Sequence, residues 1–189
     1  MGLAIRELRF TDCNITDEHL ARMGWLSHLD NLSIGGGTVT AAGVANLAGG
    51  TIKSLRLAYM TSIDDRIFEA VSKLTKLSQL LLMDTSVTGS GIGLLKELPL
   101  ADLEVPECSL FGDEGLDELA NPSLSSLAVY GTRVTKKGLL ALNRQRLPKL
   151  QWISVFASVG MDPDEMASFE AAMPGCFIDF VEPEGEEND

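Results

Sequence analysis

Residues 77–92 read LSQLLLMDTSVTGSGI, and this stretch decides the fold. It opens with Leu77, Leu80 and Leu82 in a Leu-x-x-Leu-x-Leu pattern, whose alternation is typical of a half-buried strand. The pattern recurs along the chain at spacings of 24, 23, 25, 23, 24 and 26 residues. Its seven units begin at Ile5, Leu29, Ile52, Leu77, Leu100, Leu124 and Leu150. Self-similarity at this period predicts a stack of equivalent structural units.

Each unit continues with a turn and a helix-start signal. When the first residue of a unit is counted as position 1, positions 4 and 6 are apolar in all seven units. Helix N-caps are predicted at Thr16, Thr40, Asp64, Thr88, Gly112, Thr135 and Asp162. The last is followed by Pro163 and, at the third helical position, Glu165, which together make a capping box. Each unit is therefore predicted to be a strand, a turn and a short helix, which bury apolar surface only when stacked.

The segments TRVTKKGL at 132–139, TSVTGSGI at 85–92 and TVTAAGV at 38–44 resemble leucine-rich repeats. They are most similar to the bacterial type, close to the cysteine-containing repeats of F-box proteins, and the resemblance covers residues 3–173. It implies an α/β solenoid of about seven repeats of 23–26 residues, curved as a right-handed superhelix. The parallel sheet would line the concave face and short helices the convex face. Members of this family mostly act as protein-binding platforms, and the units containing Ile63 and Leu110 depart from the pattern by one extra residue in the turn.

The two ends of the chain differ in character. Residues 1–181 are expected to form a single repeat domain, in which 150–181 make the last repeat and a C-terminal cap with a helix near 163–173 and a strand at 176–181. Residues 182–189 contain five acids and are expected to be a disordered tail. The first strand begins almost at Met1, so we expect its open edge to be covered by a partner or by a missing segment.

Composition limits the classes of partner. The 189 residues carry 15 basic and 27 acidic side chains, a formal net charge of −12, which repels nucleic-acid phosphates and anionic membranes. No apolar run approaches the ~18 residues that a membrane-spanning helix needs, and no secretion signal is visible. We therefore expect a cytoplasmic protein that binds neither nucleic acid nor membrane.

Residues with catalytic or metal-binding chemistry are sparse. Cys13 and Cys108 share a repeat position but lie four units apart, about 19 Å at a strand spacing of ~4.8 Å, so no disulfide joins them. The family resemblance implies that cysteines at this position turn inward. His19 and His28 lack Cys or Ser neighbours, and glycine runs at 35–37 and 89–93 lack the rest of a phosphate-loop motif. We expect no enzyme, no cofactor, no metal and no small-molecule substrate.

Binding residues are predicted from the repeat register. Positions 2, 3, 5, 7 and 8 of each unit face or border the concave surface, where position 7 forms an apolar ridge in the later units. Trp152 and Phe156 have an alternative place in the core beneath the C-terminal cap. The function expected is protein binding on this face. The alternatives are an inhibitor or immunity protein that occludes a toxin or enzyme, and an interaction fragment of a larger protein. The predicted binding residues are Arg9, Arg56, Tyr59, Leu81, Met83, Pro106, Tyr130, Trp152 and Phe156.

Overall fold

One parallel sheet runs the length of the molecule. The computed structural model describes residues 5–23 and 28–182. In that part of the chain, eight strands pair strictly in sequence order. We label them β1 to β8: Glu7–Thr11, Asn31–Gly35, Ser54–Met60, Gln79–Thr85, Asp102–Glu104, Ser126–Ala128, Trp152–Phe156 and Phe177–Val181. The seven units of the sequence therefore supply β1 to β7, and the strand expected at the C-terminus supplies β8.

A short helix follows each of β1 to β7 and packs on one side of the sheet. The α-helices α1 to α6 span Asp17–Arg22, Ala41–Ala45, Arg66–Val71, Asp113–Glu118, Lys136–Leu140 and Pro163–Ala172. In unit 4 the helix is instead a 3₁₀ helix, Ile92–Glu97, and a second 3₁₀ helix, Ala157–Val159, follows β7. Helix α6 and strand β8 match the C-terminal helix and strand expected from the sequence to within one residue at each end.

The apolar columns of the sequence form the core. Leu32 pairs with Leu55, Leu55 with Leu80, and Leu80 with Leu103, so position 4 is in register from strand to strand. Position 6 follows the same rule, as with Ile34 and Leu57. These side chains are buried against the helix layer, whereas Leu8 and Phe10 in the first unit are only partly buried. The predicted register is confirmed.

A left-handed residue stands at position 8 in each of the first six units, at or near the end of the strand. The backbone φ angle is positive at Asp12 (54°), Gly36 (81°), Tyr59 (60°), Asp84 (47°), Glu107 (58°) and Gly131 (69°). This conformation suits glycine and costs other residues roughly 1–2 kcal/mol. Four of the six units nevertheless keep a side chain there.

Four of the seven predicted N-caps are seen with their capping hydrogen bonds: Thr16, Thr40, Thr135 and Asp162. Gly112 also precedes its helix, without a side-chain bond. Helix α3 is bounded from Arg66, with Asp65 before it, but Asp64 still accepts a capping hydrogen bond from the backbone N–H of Arg66 (3.1 Å). The prediction for unit 4 was wrong: its 3₁₀ helix begins after Gly91, in a left-handed conformation, rather than after Thr88.

The extra residue expected in unit 5 changes which side chain is buried. Phe111 occupies the core, and Leu110, which the sequence pattern aligned with the inward column, is 47% exposed. In unit 3 the shifted residue, Ile63, is buried as expected.

Carboxylates at the start of one helix hold the threonine at the start of the next unit's helix. Asp17 accepts hydrogen bonds from the backbone N–H (2.7 Å) and the hydroxyl (2.6 Å) of Thr40. Asp65 binds Thr88 in the same way (2.8 and 2.5 Å), and Asp113 binds Thr135 (2.8 and 2.7 Å). We call these contacts the Asp–Thr clamps; they join units 1 to 2, 3 to 4 and 5 to 6.

Glycine is required beside two of these clamps. A Cβ atom at Gly43 would lie 2.2 Å from Oδ1 of Asp17, and one at Gly138 would lie 2.3 Å from Oδ1 of Asp113. In both units the glycine lies three residues after the clamped threonine. This spacing has a steric cause, because the carboxylate of the preceding unit fills the space that a side chain would need.

The described cysteines are free thiols in different surroundings. Cys108 is buried; its Sγ donates to the carbonyl of Leu82 (2.9 Å) and lies 3.2 Å from Oγ1 of Thr85. Burial raises the pKa of the Cys108 thiol, and it raises the pKa of Cys176 to about 11. Cys13 is exposed, so the inward orientation implied by the family resemblance is wrong for this first unit, where neighbours cover the core less completely.

Candidate protein-binding surface

The face of the sheet opposite the helices, which we call the open face, carries three rows of side chains. Because strand side chains alternate, positions 3, 5 and 7 point away from the core. Strand pairing aligns each row across neighbouring units, for example Arg9 with Ser33 and Ser33 with Arg56. All nine predicted binding residues lie on these rows or at position 8, on their border.

The first three units hold the basic residues of the face. Arg9 and Arg56 are exposed on the position 5 row, and Arg9 lies 3.9 Å from the carboxylate of Glu7. At the amino ends of the strands, Asp30 accepts a hydrogen bond from Arg6 (3.0 Å), and the ammonium group of Lys53 lies 3.2 Å from its second oxygen. These hydrogen bonds hold the pKa of Asp30 below its ordinary value of 3.8.

Two aromatic pairs lie on β7, on β8 and just beyond the end of β6. The rings of Trp152 and Phe177 are 4.9 Å apart between centroids, and those of Tyr130 and Phe156 are 5.9 Å apart, both tilted. Trp152 is 43% exposed and Phe177 is 56% exposed, whereas Tyr130 and Phe156 are half-buried. We call these four residues the aromatic cluster. The alternative that Trp152 lies in the core is therefore wrong.

Tyr59 and Met83 extend this apolar surface toward the first half of the chain. Tyr59 occupies a left-handed turn at position 8 and is 65% exposed. Met83 is half-buried on the position 7 row, paired in register with Ala58. Both residues lie where the register predicted them.

Leu81 and Pro106 are on the predicted rows but are buried, so the prediction that they present exposed surface needs correction. Leu81 pairs with Arg56 on one side and Glu104 on the other, and these longer side chains can cover it. Pro106 has a compact ring, and its unit stands between those of Met83 and Tyr130. Alternation determines the face of a residue, whereas the size of its neighbours determines its exposure.

The sequence interpretation missed Phe177 and a set of acidic residues. Phe177 is in register with Trp152, a relation visible in the sequence once Ile178 is aligned with Ile153. It was overlooked because β8 was treated only as a cap. The missed acids occupy positions 3, 5 and 8 of the later units: Asp84, Asp102, Glu104, Glu107 and Asp179.

The described residues offer little for other chemistry. Among residues 5–23 and 28–182, no group of three or more His, Cys, Asp or Glu side chains could hold a metal ion. A pocket of about 340 Å³ lies beside the aromatic cluster, between units 6 and 7, where Val129, Val134, Phe156 and Val159 form much of its apolar lining. Thr132, Thr135, Lys136 and Ser158 also line this pocket.

Comparisons with known proteins support the fold. The chain is similar to an internalin (inlF) from Listeria monocytogenes strain 4b F2365, with a TM-score of 0.60 and 17% identity over 94% of this chain. The match covers 48% of the internalin, so this chain spans about half of that structure. A structure of the yeast Rad7 and Elc1 complex matches with a TM-score of 0.38 and 17% identity, over 92% of this chain and 67% of that one.

No protein-family model matches the chain, and no curated protein sequence matches it significantly. Eight parallel strands that alternate with short helices, together with the likeness to the internalin, identify the fold as an α/β leucine-rich-repeat solenoid. Within the described ranges, every helix is too short or too polar to cross a membrane.

Proposed function

We propose that this protein is a non-catalytic interaction module that binds another protein on the open face of its sheet. The aromatic cluster carries this proposal. Exposed aromatic side chains on a sheet face are costly to hydrate and are enriched at the centres of protein interfaces. Trp152 and Phe177, both more than 40% exposed and in contact with each other, form the most exposed part of the aromatic cluster.

Met83 and Tyr130 provide the test of this function. Replacing both with Asp places two charges in the middle of the apolar surface, so partner capture should be lost. Leu94 and Leu110 are 52% and 47% exposed on the helix side, and the Leu94→Asp/Leu110→Asp variant is the matched control. Affinity purification from the native host with mass spectrometry should recover the same partner with wild type and control, and lose it with Met83→Asp/Tyr130→Asp. Equal recovery by all three proteins would exclude the open face.

The proposal includes the setting in which binding takes place. The described cysteines are all free, which supports a reducing compartment, and we assign the protein to the cytoplasm. The buried thiol of Cys108, bonded to the strand carbonyl of Leu82, supports a relation to cysteine-containing repeats. The partner is a protein rather than a nucleic acid, a membrane or a small molecule.

A further inference from the structure

We infer that the partner presents a basic segment to units 4–8, with Lys or Arg side chains seated between the acidic residues and the aromatic cluster. This inference rests on the proposed function and specifies the chemistry of the ligand. Arg9 and Arg56 alone would suggest an acidic partner segment, whereas units 4–8 favour a basic one.

The charge of the open face changes along the solenoid. From unit 4 to β8, positions 3, 5, 7 and 8 carry six acids, of which the last is Glu182 directly after β8, and no lysine or arginine. Among the described residues, Asp84, Glu104, Glu107 and Asp179 form no ion pair, and Asp102 is bonded only by the amide of Gln79 (3.2 Å). Carboxylates elsewhere, such as Asp30 and Glu165, do have cationic neighbours.

Two cations in the pockets beside the aromatic cluster, Arg144 and Lys136, belong to other contacts. The guanidinium group of Arg144 donates to the carbonyls of Leu150 and Pro174, both at 2.5 Å, which ties unit 6 to the C-terminal cap. Lys136 is paired with Glu165 at 2.7 Å. Neither is available to neutralise the acids of the open face.

Glu107 and Tyr130 bring negative charge and an aromatic ring together. The carboxylate of Glu107 lies against Gly131, within 2.6 Å of the point where a Cβ atom would stand. The backbone N–H of Glu107 donates to the carbonyl of Tyr130 (2.9 Å). Glycine at position 131 thus lets the carboxylate lean toward unit 6, next to the residue whose ring packs on Phe156.

Two acids on adjacent units also favour a cationic ligand. Asp84 and Glu107 both occupy position 8, and their units are neighbours at a strand spacing of ~4.8 Å. A Lys or Arg side chain from the partner would be attracted by both carboxylates and could contact an aromatic face at the same time. The apolar pocket beside Phe156 would accept a neighbouring aliphatic residue of the same segment.

The test uses a phage-displayed library of random 15-residue peptides selected on the immobilised full chain. We expect the enriched peptides to be basic, with apolar residues interspersed. In fluorescence anisotropy, the most enriched peptide should bind Glu104→Gln/Glu107→Gln about tenfold more weakly than wild type. The control Glu97→Gln/Glu170→Gln, which removes the same charge from the helix side, should change the affinity less than twofold. Raising NaCl from roughly 50 to 300 mM should weaken wild-type binding several-fold.

The outcomes distinguish failure of this inference alone from failure of both proposals. Neutral or acidic peptides that depend on Met83 and Tyr130 would overturn the basic segment and leave the interaction module standing. Basic peptides that bind both neutralised variants equally would overturn the inference as well, since their attraction would be to overall charge. No enrichment over bare beads, or enriched peptides indifferent to Met83→Asp/Tyr130→Asp, would overturn both proposals.

Discussion

The clamp between Asp113 and Thr135 predicts that Gly138→Ala will destabilise the wild type but stabilise a variant that lacks the Asp113 carboxylate. Gly138 lies in α5, and a Cβ atom there would be 2.3 Å from Oδ1 of Asp113, about 1 Å closer than ordinary van der Waals contact at 3.4 Å or more. Gly138→Ala must therefore displace the carboxylate, which holds Thr135 at 2.7–2.8 Å. In an Asp113→Ala background the carboxylate is gone, and the retained Cβ of residue 113 lies 3.2 Å from the new Cβ position.

The magnitude follows from the two hydrogen bonds. Each is charge-assisted but close to solvent, so losing both should cost about 2 kcal/mol. Alanine inside a helix is worth about 0.5–1 kcal/mol over glycine. Gly138→Ala should then destabilise the wild type by about 1–1.5 kcal/mol and stabilise the Asp113→Ala variant by about 0.5–1 kcal/mol. The coupling energy is about 2 kcal/mol.

Urea unfolding of the four proteins in a double-mutant cycle measures this coupling. The corresponding cycle with Asp17→Ala and Gly43→Ala should give a similar value, because the Cβ position at Gly43 is 2.2 Å from its carboxylate. If Gly138→Ala destabilises both backgrounds equally, the steric explanation of the glycine is incorrect.

Three further predictions concern the thiols, Asp30 and Tyr59. With a thiol reagent at pH 8, Cys13 should react in the folded protein, whereas Cys108 and Cys176 should react only on unfolding, because they are buried and burial raises their pKa values. Equal reaction rates for all three thiols would contradict this. Asp30 has a lowered pKa, so its ion pairs stabilise the fold fully above pH 3.8 and lose their effect as the pH falls through the lower folded-state pKa. Asp30→Asn should accordingly lower the free energy of unfolding at pH 7, and the difference from wild type should narrow as the pH falls below 3.8. Tyr59→Gly should raise stability by roughly 0.5–1 kcal/mol by relieving the left-handed backbone at φ 60° and should weaken partner binding, whereas a fall in melting temperature would refute the strain.

The repeat register was predictable because it is recorded redundantly in the sequence. Positions 4 and 6 are apolar in every unit, and a shift of one residue would expose that whole set, so only one alignment buries them. Where two apolar residues adjoin, this redundancy ends. Leu110 and Phe111 both satisfy the pattern, and the extra residue in the turn, rather than hydrophobicity, decides that Phe111 is buried.

The candidate surface was only partly predictable, because exposure depends on neighbours that are distant in sequence. The face of Leu81 follows from alternation, but its burial is set by neighbouring strands about one repeat away on either side, where Arg56 and Glu104 are its register partners. The sequence gives the positions of the acids on the open face. It does not give their ion pairs, because a cation that neutralises a carboxylate can come from a residue distant in sequence.

The Asp–Thr clamps give the solenoid a second, longer period. Asp17 and Asp65 are 48 residues apart, as are Asp65 and Asp113, whereas single units measure 23–26 residues. Units 1 to 6 thus form three tandem pairs. In each pair the odd-numbered unit supplies the accepting carboxylate, and the even-numbered unit after it supplies the threonine that donates to it. Excision of a whole pair, such as residues 64–111, would leave the other clamps matched. Excision of one unit would place mismatched partners at the new joint, so length variants of this scaffold should be viable in steps of two.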